Sequence, residues 1–282
     1  MPLIVNTNIA SINAQRYLTR NTQSYQKSLE RLSSGFRINR AGDDAAGLQI
    51  SESLRSQIRG STKANENVQD GLSVLNIADG AQSVIQDNLQ RIRELTVQAA
   101  NDTNATSQRT AIAQEIDARR ADIDRVANSA KFNGVNLLSS TAPTTFKLQV
   151  GPNSSSANDI IDVVSALGNT TTSAGGINLT TANVSTNSAA QAYLDVVDSA
   201  LSVLGTRRAT LGSITNRLES ASNNLTIGIE NLSGAESRIR NVDVAAETAE
   251  LTRNQILQQA SSTVLIQANQ STQVALSLIQ GR

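Results

Sequence analysis

The chain has 282 residues, with Lys plus Arg and Asp plus Glu equal at 24 each, so its net charge points to neither nucleic acid nor an anionic surface as partner. It holds no cysteine and no histidine, which removes disulfides, thiol nucleophiles, imidazole acid–base chemistry and nearly all zinc, copper and haem sites. Aromatic residues make up only 2% and prolines number three, whereas Ala, Leu and Gln favour helix and so few prolines leave long helices unbroken.

The opening "MPLIVNTNIASINAQR" has no positive charge before an apolar core and no cleavage-type motif, so it does not read as a secretory signal peptide. Residues 1–42 carry Arg16, Arg20, Lys27, Arg31, Arg37 and Arg40 against Glu30 alone, which reads as a solvated helix face with an acidic neighbour. Val5, Ile9 and Ile12, then Tyr25, Leu29, Leu32 and Phe36, form an interrupted apolar stripe, and Gly35 is a helix stop. The carboxylates of "RAGDDAAG" (Arg40–Gly47) lack further ligands in pattern, and a helix start that favours negative charge accounts for them. Gly42 and Gly47 suit a joint through backbone freedom.

Leu54, Ile58, Ser61, Asn65, Val68, Leu72 and Leu75 step by four and three. The register slips near Gly80 and resumes at Ile85, Leu89, Ile92, Thr96 and Ala99. A lone polar seam residue such as Asn65 fixes register at some cost in stability. The polar loop "NDTNAT" (Asn101–Thr106) then precedes Ile112, Ile116, Arg119, Ile123 and Val126, which predicts a helix folded back on the first. "DID" (Asp122–Asp124) has the opening spacing of a calcium loop, but Val126 stands at the next ligand position, and an exposed helix face is expected.

Residues 139–188 differ in kind: 18 of these 50 are Ser or Thr. "TFKLQVG" alternates as a half-buried strand and "DIIDVV" can pair with it across residues 152–157, so a small β-rich or loop insertion is expected at the far end of the helical rod. From Tyr193 the step of four and three runs through 17 positions to Ala249, broken only by Arg207 and Gly228. Read as one helix it would span roughly 85 Å at about 1.5 Å per residue. A sustained seven-residue repeat means helices supercoiling on partners.

The last segment, Asn254–Gly281, has 28 residues without a charge. Seven are Gln and no apolar run exceeds three, which excludes a membrane span. Leu257, Ala260, Val264, Ala268, Ser271, Ala275 and Leu278 form its narrow stripe. Identical helices crowded together bring each charge against its own copy, so a neutral helix suits dense packing of many copies or the wall of a polar channel.

The fold class expected is therefore mainly α: a long antiparallel coiled-coil bundle with paired terminal helices and a small β-rich or loop insertion. No constellation of nucleophile, base and oxyanion donors points to an enzyme, and no cofactor is expected.

"VNTNIASINAQRYL" (Val5–Leu18), "LERLSSGFRINRAGDDAAGLQIS" (Leu29–Ser51), "NLQRIRELTVQAAN" (Asn88–Asn101), "KFNGVNLL" (Lys131–Leu138) and "ENLSGAESRIRNVDVAAETAELTRNQILQQA" (Glu230–Ala260) resemble bacterial flagellin. The resemblance covers roughly 1–150 and 190–282, with a short segment between, which implies a member lacking large outer domains. It implies a filament subunit of the swimming propeller whose residues 1–42 and 240–282 form an inner tube and whose residues 43–239 form an outer tube. It implies export without a cleaved signal peptide through a flagellar type III apparatus, an extracellular place in the flagellum, and partnership with an export chaperone and with cap and junction proteins. Val5, Ile9, Ile12, Leu257, Val264 and Leu278 are then assembly residues. Arg91, Leu95 and Glu115 match the residues that contact the vertebrate Toll-like receptor for flagellin. The plain alternative for these three has Leu95 packed on a third helix and Glu115 paired with Arg119. Residues 139–188 stand as an exposed loop or, as in some flagellins, an acceptor of O-linked sugars. A hook–filament junction protein and a chemoreceptor-like signalling hairpin are the competing readings; the second predicts a membrane span or receptor partner.

Overall fold

The computed structural model describes residues 7–155 and 157–279, with side chains followed as far as Val274. Five helices carry the chain: α1 (Ile9–Ser34), α2 (Ala45–Ala99), α3 (Thr106–Ser129), α4 (Asn187–Arg240) and α5 (Val244–Ile279). Two antiparallel strand pairs lie between α3 and α4: β1 (Lys131–Phe132) with β2 (Val135–Asn136), and β3 (Lys147–Gln149) with β4 (Ile160–Asp162). The expected class, mainly helical with a small β insertion, is the one observed.

One compact unit comprises residues 57–230. Here α2 and α4 run antiparallel, tied by Arg93 to Asp198 at 2.7 Å and by Arg208 to Asp79 at 3.1 Å. The Ser222 hydroxyl donates to Asn65 Oδ1 at 2.7 Å, so the seam asparagine has a single matching partner on α4. The repeat on α4 is buried where expected, from Tyr193 through Val197, Ala200, Leu204, Leu211 and Ile214 to Leu218. Its break at Arg207 is a point of attachment: the guanidinium donates to the Asn169 carbonyl of the insertion. Burial of that group lowers its pKa from the ordinary arginine value. Helix α3 folds back on α2, burying Ile112, Ile116, Ile123 and Ala127, while Arg119 reaches Asn88 Oδ1 at 3.5 Å.

Two features depart from the repeat. Helix α2 runs unbroken through Gly80, and the slip in register is taken up by the buried Ala78 and Gln82, the latter donating to the Ala166 carbonyl at 3.2 Å. The expected single rod from Tyr193 to Ala249 instead ends at Arg240. Asp243 caps a new helix there, its Oδ1 accepting from Ala245 N at 2.9 Å and Ala246 N at 3.2 Å. A capping aspartate overrides a seven-residue pattern that continues across it.

The insertion lies along the flank of α2 instead of beyond the helices' end. Gly71 faces Leu148, Gly60 faces Pro152, and Asn67 Nδ2 donates to the Gln149 carbonyl at 3.2 Å. β3 and β4 pair as expected, with Leu148 opposite Ile161. The insertion contributes Val163, Leu167, Ile177 and Leu179 to the same core as the helices, beside Leu137 and Leu138 just before it, because a short irregular segment with few charges is stable only by burying apolar surface on a neighbour. β1 and β2 close on Asn133 and Gly134, both at positive φ, the two-residue turn that an Asn-Gly pair favours. Asp124, expected on an exposed face, accepts from the Thr172 amide at 2.7 Å and hydroxyl at 2.9 Å and ties the insertion to α3. Ser139 and Thr170, Thr171 and Thr172 are buried, so this part of the Ser/Thr-rich stretch is not an exposed loop.

Candidate functional site

The second unit comprises residues 7–56 and 231–279 among those described, and its centre is the antiparallel pair α1–α5. The inward residues keep a strict seven-residue repeat: Ser11, Ala14, Leu18, Asn21, Tyr25, Ser28 and Leu32 on α1, and Glu247, Leu251, Asn254, Gln258, Ser261, Leu265, Ala268 and Thr272 on α5. Eight of these fifteen are polar, so hydrogen bonds define the seam more than apolar contact does. Asn21 Nδ2 donates to Ser261 Oγ at 2.7 Å and to the Leu257 carbonyl at 3.3 Å. Gln258 Nε2 donates to Thr22 Oγ1 at 3.2 Å, Asn254 Nδ2 to Ser28 Oγ at 3.4 Å, and Ser11 Oγ to Asn269 Oδ1 at 2.7 Å. Arg31 meets the nearly buried Glu247 at 3.6 Å.

Many of the large apolar side chains of these helices point outward instead. Ile9 is 60% exposed, Ile12 57%, Leu257 43% and Val264 55%. Ile256, Ile266, Tyr17 and Val244 are exposed too, and sequence reasoning singled out none of these four. Of the stripe expected on α5, among the residues whose side chains are described only Ala268 belongs to the seam; Leu257, Ala260, Val264 and Ser271 lie outward, about 100° round the helix from Gln258 and its repeat, and the side chain of Ala275 lies outside the described residues. The period was legible, but its phase was set by amides and hydroxyls that hydrophobic patterning ignores. Val5 lies outside the described residues, and so does the side chain of Leu278.

Where the pair ends, the crossing segments are clasped. Gly35 takes the left-handed conformation (φ 75°) as the cap of α1. Arg37 N donates to the Arg240 carbonyl at 2.7 Å and Val242 N to the Gly35 carbonyl at 3.0 Å. The Arg240 guanidinium sits 4.8 Å from the Phe36 ring centroid and pairs with Glu52 at 2.7 Å. Asp43 meets Lys27 at 2.7 Å and accepts from the amides of Arg40 and Asn39. The Lys27 bond first, then these amides, lower its pKa to about 2. Asp44 caps α2, its Oδ1 accepting from Gly47 N at 2.8 Å. Both carboxylates thus shape a turn, as a helix start requires. Gly47 is needed for close packing against Asp44 and Ile38, and its backbone is helical.

In the 57–230 unit, the three candidate receptor residues meet at the α2–α3 face. Arg91 lies exposed on α2, paired with Glu94 at 3.0 Å and across to Glu115 on α3 at 3.2 Å. The hydrogen bond to Glu94 first, then that to Glu115, hold the Arg91 pKa above the ordinary value. Glu115 therefore bridges two helices instead of pairing with Arg119. Leu95 is only 2% exposed and belongs to the core beneath the ridge.

Among the described residues there is no group of three or more acidic side chains placed to hold a metal ion, and no helix long and apolar enough to cross a membrane. A helical unit with a polar internal seam and outward apolar side chains is that of a structural protein built around helix–helix association. Comparison with known proteins agrees. The family model described as the bacterial flagellin N-terminal helical region matches residues 5–142, and that of the C-terminal helical region matches 194–279. The chain is 42% identical over 278 residues to the flagellin of Halalkalibacterium halodurans, covering 99% of this chain and 100% of that protein. It is 39% identical to the flagellar filament 33 kDa core protein of Treponema phagedenis, with 99% and 100% covered. A solved structure from Vibrio parahaemolyticus, provisionally described as a flagellar hook-associated protein, has a TM-score of 0.56 at 12% identity, covering 71% of this chain and 100% of that one; it shares the fold alone. The chain belongs to the bacterial flagellin family. It is a short member: only residues 143–193 separate the matched regions, and the insertion there packs onto the helices.

Proposed function

We propose that this chain polymerises into the flagellar filament, the extracellular propeller of a swimming bacterium, with α1 and α5 forming the inner tube and the helices of the 57–230 unit forming the outer one. The observation that carries this is the inverted terminal pair. Its seam is half polar, while Ile9 and Ile12 face out from α1 and Leu257 and Val264 from the part of α5 that follows Arg253, where no charge stands until Arg282. Apolar side chains left on a neutral surface are stable when other copies cover them, and identical neutral helices crowd together without like-charge repulsion. Neutral α5 thereby suits the wall of a channel through which later subunits travel.

By family resemblance the chain is exported without a cleaved signal peptide, held by an export chaperone, and added beneath a cap on a base of junction proteins. The Arg91–Glu115 ridge is the surface offered to the vertebrate Toll-like receptor for flagellin. Buried Leu95 would act there by holding the α2 backbone in place, with Arg91 and Glu115 making the contacts.

Seeded polymerisation tests the central reading. Heated, monomeric protein is mixed with short seeds at neutral pH and pelleted in an ultracentrifuge. A pelleting fraction that grows with seed number and melts on reheating is expected. A chain that stays monomeric or dimeric overturns the reading.

A further inference from the structure

We propose that Asn21 and Asn254 are positioning residues that set the register of α1 against α5, and so decide which apolar side chains a neighbouring copy meets. This rests on the filament reading and deepens it.

The seam is poorly specified by its apolar content, because large apolar side chains alternate with polar ones along both helices. A one-heptad slip keeps the same faces together, since the repeat of seven is uninterrupted on each. Within the seam its cost falls on the polar groups, added to the two backbone hydrogen bonds of the Gly35–Val242 and Arg37–Arg240 crossing that a slip also breaks. Slipped one way, Asn21 loses Ser261 and faces Ala268, which offers no side-chain acceptor. Slipped the other way, Asn21 faces Asn254 and Ser28 faces Glu247, so Glu247 leaves Arg31 while still in the seam. Asn254 is 7% exposed, and a buried carboxamide without its partner is unfavourable. Only the observed register satisfies Asn21, Asn254 and Glu247 together.

The consequence reaches the outer surface. A slip of seven residues moves α5 about 10 Å along α1, changing the spacing of Leu257 and Val264 from Ile9 and Ile12 by that amount. The facing requirement of a helical lattice would then be lost although the helices remain paired. A polar seam thus gives up stability in the isolated pair and gains a single arrangement of its exterior.

The chain has no cysteine, so engineered pairs report register cleanly. Ser11→Cys with Asn269→Cys reads the observed register, since these side chains already touch at 2.7 Å. Ser11→Cys with Ser262→Cys reads the slipped one. Disulfide yields are compared with and without Asn21→Leu plus Asn254→Leu, which places two leucines opposite each other only in that slipped register. In the otherwise native seam the observed pair is expected to dominate. In the leucine variant the ratio should fall by about tenfold, as losing one or two hydrogen bonds dictates, and addition to wild-type seeds should fall with it. Restoring Asn21 alone should return most of the ratio. An unchanged ratio in the leucine variant, or no preference in the native seam, overturns the proposal. Should the double variant fail to yield soluble chain, Asn21→Ala is read the same way. Cross-linking is read on pelleted material, or on soluble chain if none pellets; failure of the wild type to pellet sinks the filament reading and leaves the register result standing.

Discussion

Glycine substitution along α2 offers a sharp test, because two opposed effects have comparable size and the surroundings decide the sign. Gly71 and Gly80 both lie inside this helix with helical backbone. Replacing a helical glycine by alanine stabilises by about 1 kcal/mol through backbone entropy. At Gly80 a Cβ would meet nothing within 4 Å, so Gly80→Ala should raise the stability of the free subunit by that amount. At Gly71 a Cβ would overlap Leu148 Cδ1. Leu148 is held in β3 opposite Ile161, so relief requires shifting its side chain or the strand, and overpacking of this kind costs roughly 1–3 kcal/mol. The net effect of Gly71→Ala should lie between no change and a loss of about 2 kcal/mol, leaving the two variants about 1–3 kcal/mol apart. Urea unfolding followed by circular dichroism on the unpolymerised subunit measures both. Equal stabilisation of the two variants would refute the placing of β3 against Gly71, and so the position given to the whole insertion.

Other consequences are open to direct measurement. Burial raises the Tyr193 phenol to about 12 from the ordinary 10.0, its hydroxyl donating to the Thr180 carbonyl. The folded state thus holds that proton more tightly, and stability complete below pH 10 should decline as pH rises towards 12; Tyr193→Phe should flatten that decline in a denaturation series. Asp43 has the opposite sign: held down to about 2 from 3.8, it contributes above pH 4 and loses that contribution as pH falls towards 2. Melting temperatures of Asp43→Asn should accordingly depend less on pH across that window, and parallel curves would discount the Lys27 clasp. Arg91→Ala should weaken activation of the flagellin receptor while leaving polymerisation competent, and equal activation would remove the ridge from consideration. Gln267→Lys with Gln270→Lys, both at exposed positions of α5, should block pelleting while the monomer stays soluble; normal assembly would discredit the role given to neutrality.

Much of the fold was legible because α2, α3 and α4 bury long apolar repeats, and burial of apolar surface is what periodicity reports. Tyr193, Leu204 and Leu218 stand on the core side as their spacing required. Three things escaped. The break at Asn241–Asp243 was masked by a repeat that runs across it, although an aspartate before a helical run is a start signal. The flank position of the insertion was invisible because Gly60 and Gly71 declare close approach only once Pro152 and Leu148 are seen beside them. The phase of the α5 stripe was misjudged by about 100°, although Tyr25 and Leu32 of the α1 stripe do lie in the seam, because its determinants include Asn254 and Ser261, polar residues that meet Ser28 and Asn21 in positions that elsewhere hold leucine.

That last departure bears on how one chain would serve both as a free subunit and as part of a filament. A helix pair sealed by leucine would be stable alone and would show its neighbours a polar exterior, leaving nothing to gain on assembly. In this chain the seam is mixed: hydrogen bonds, each of about 1 kcal/mol net, share it with Leu18, Leu32, Leu251 and Leu265, and Ile9, Ile12, Ile256, Leu257, Val264 and Ile266 stay at the surface. Covering a side chain the size of Ile or Leu is worth about 1.5–3 kcal/mol, so the order of the terminal helices should come mostly from contacts that a single subunit cannot make. The absence of charge from Arg253 to Arg282 follows from the same economy of contacts, since a charge brought against its own copy would oppose the burial that completes the fold. On the filament reading, then, the 57–230 unit is folded by its own core, and the α1–α5 pair is left to be finished by its neighbours.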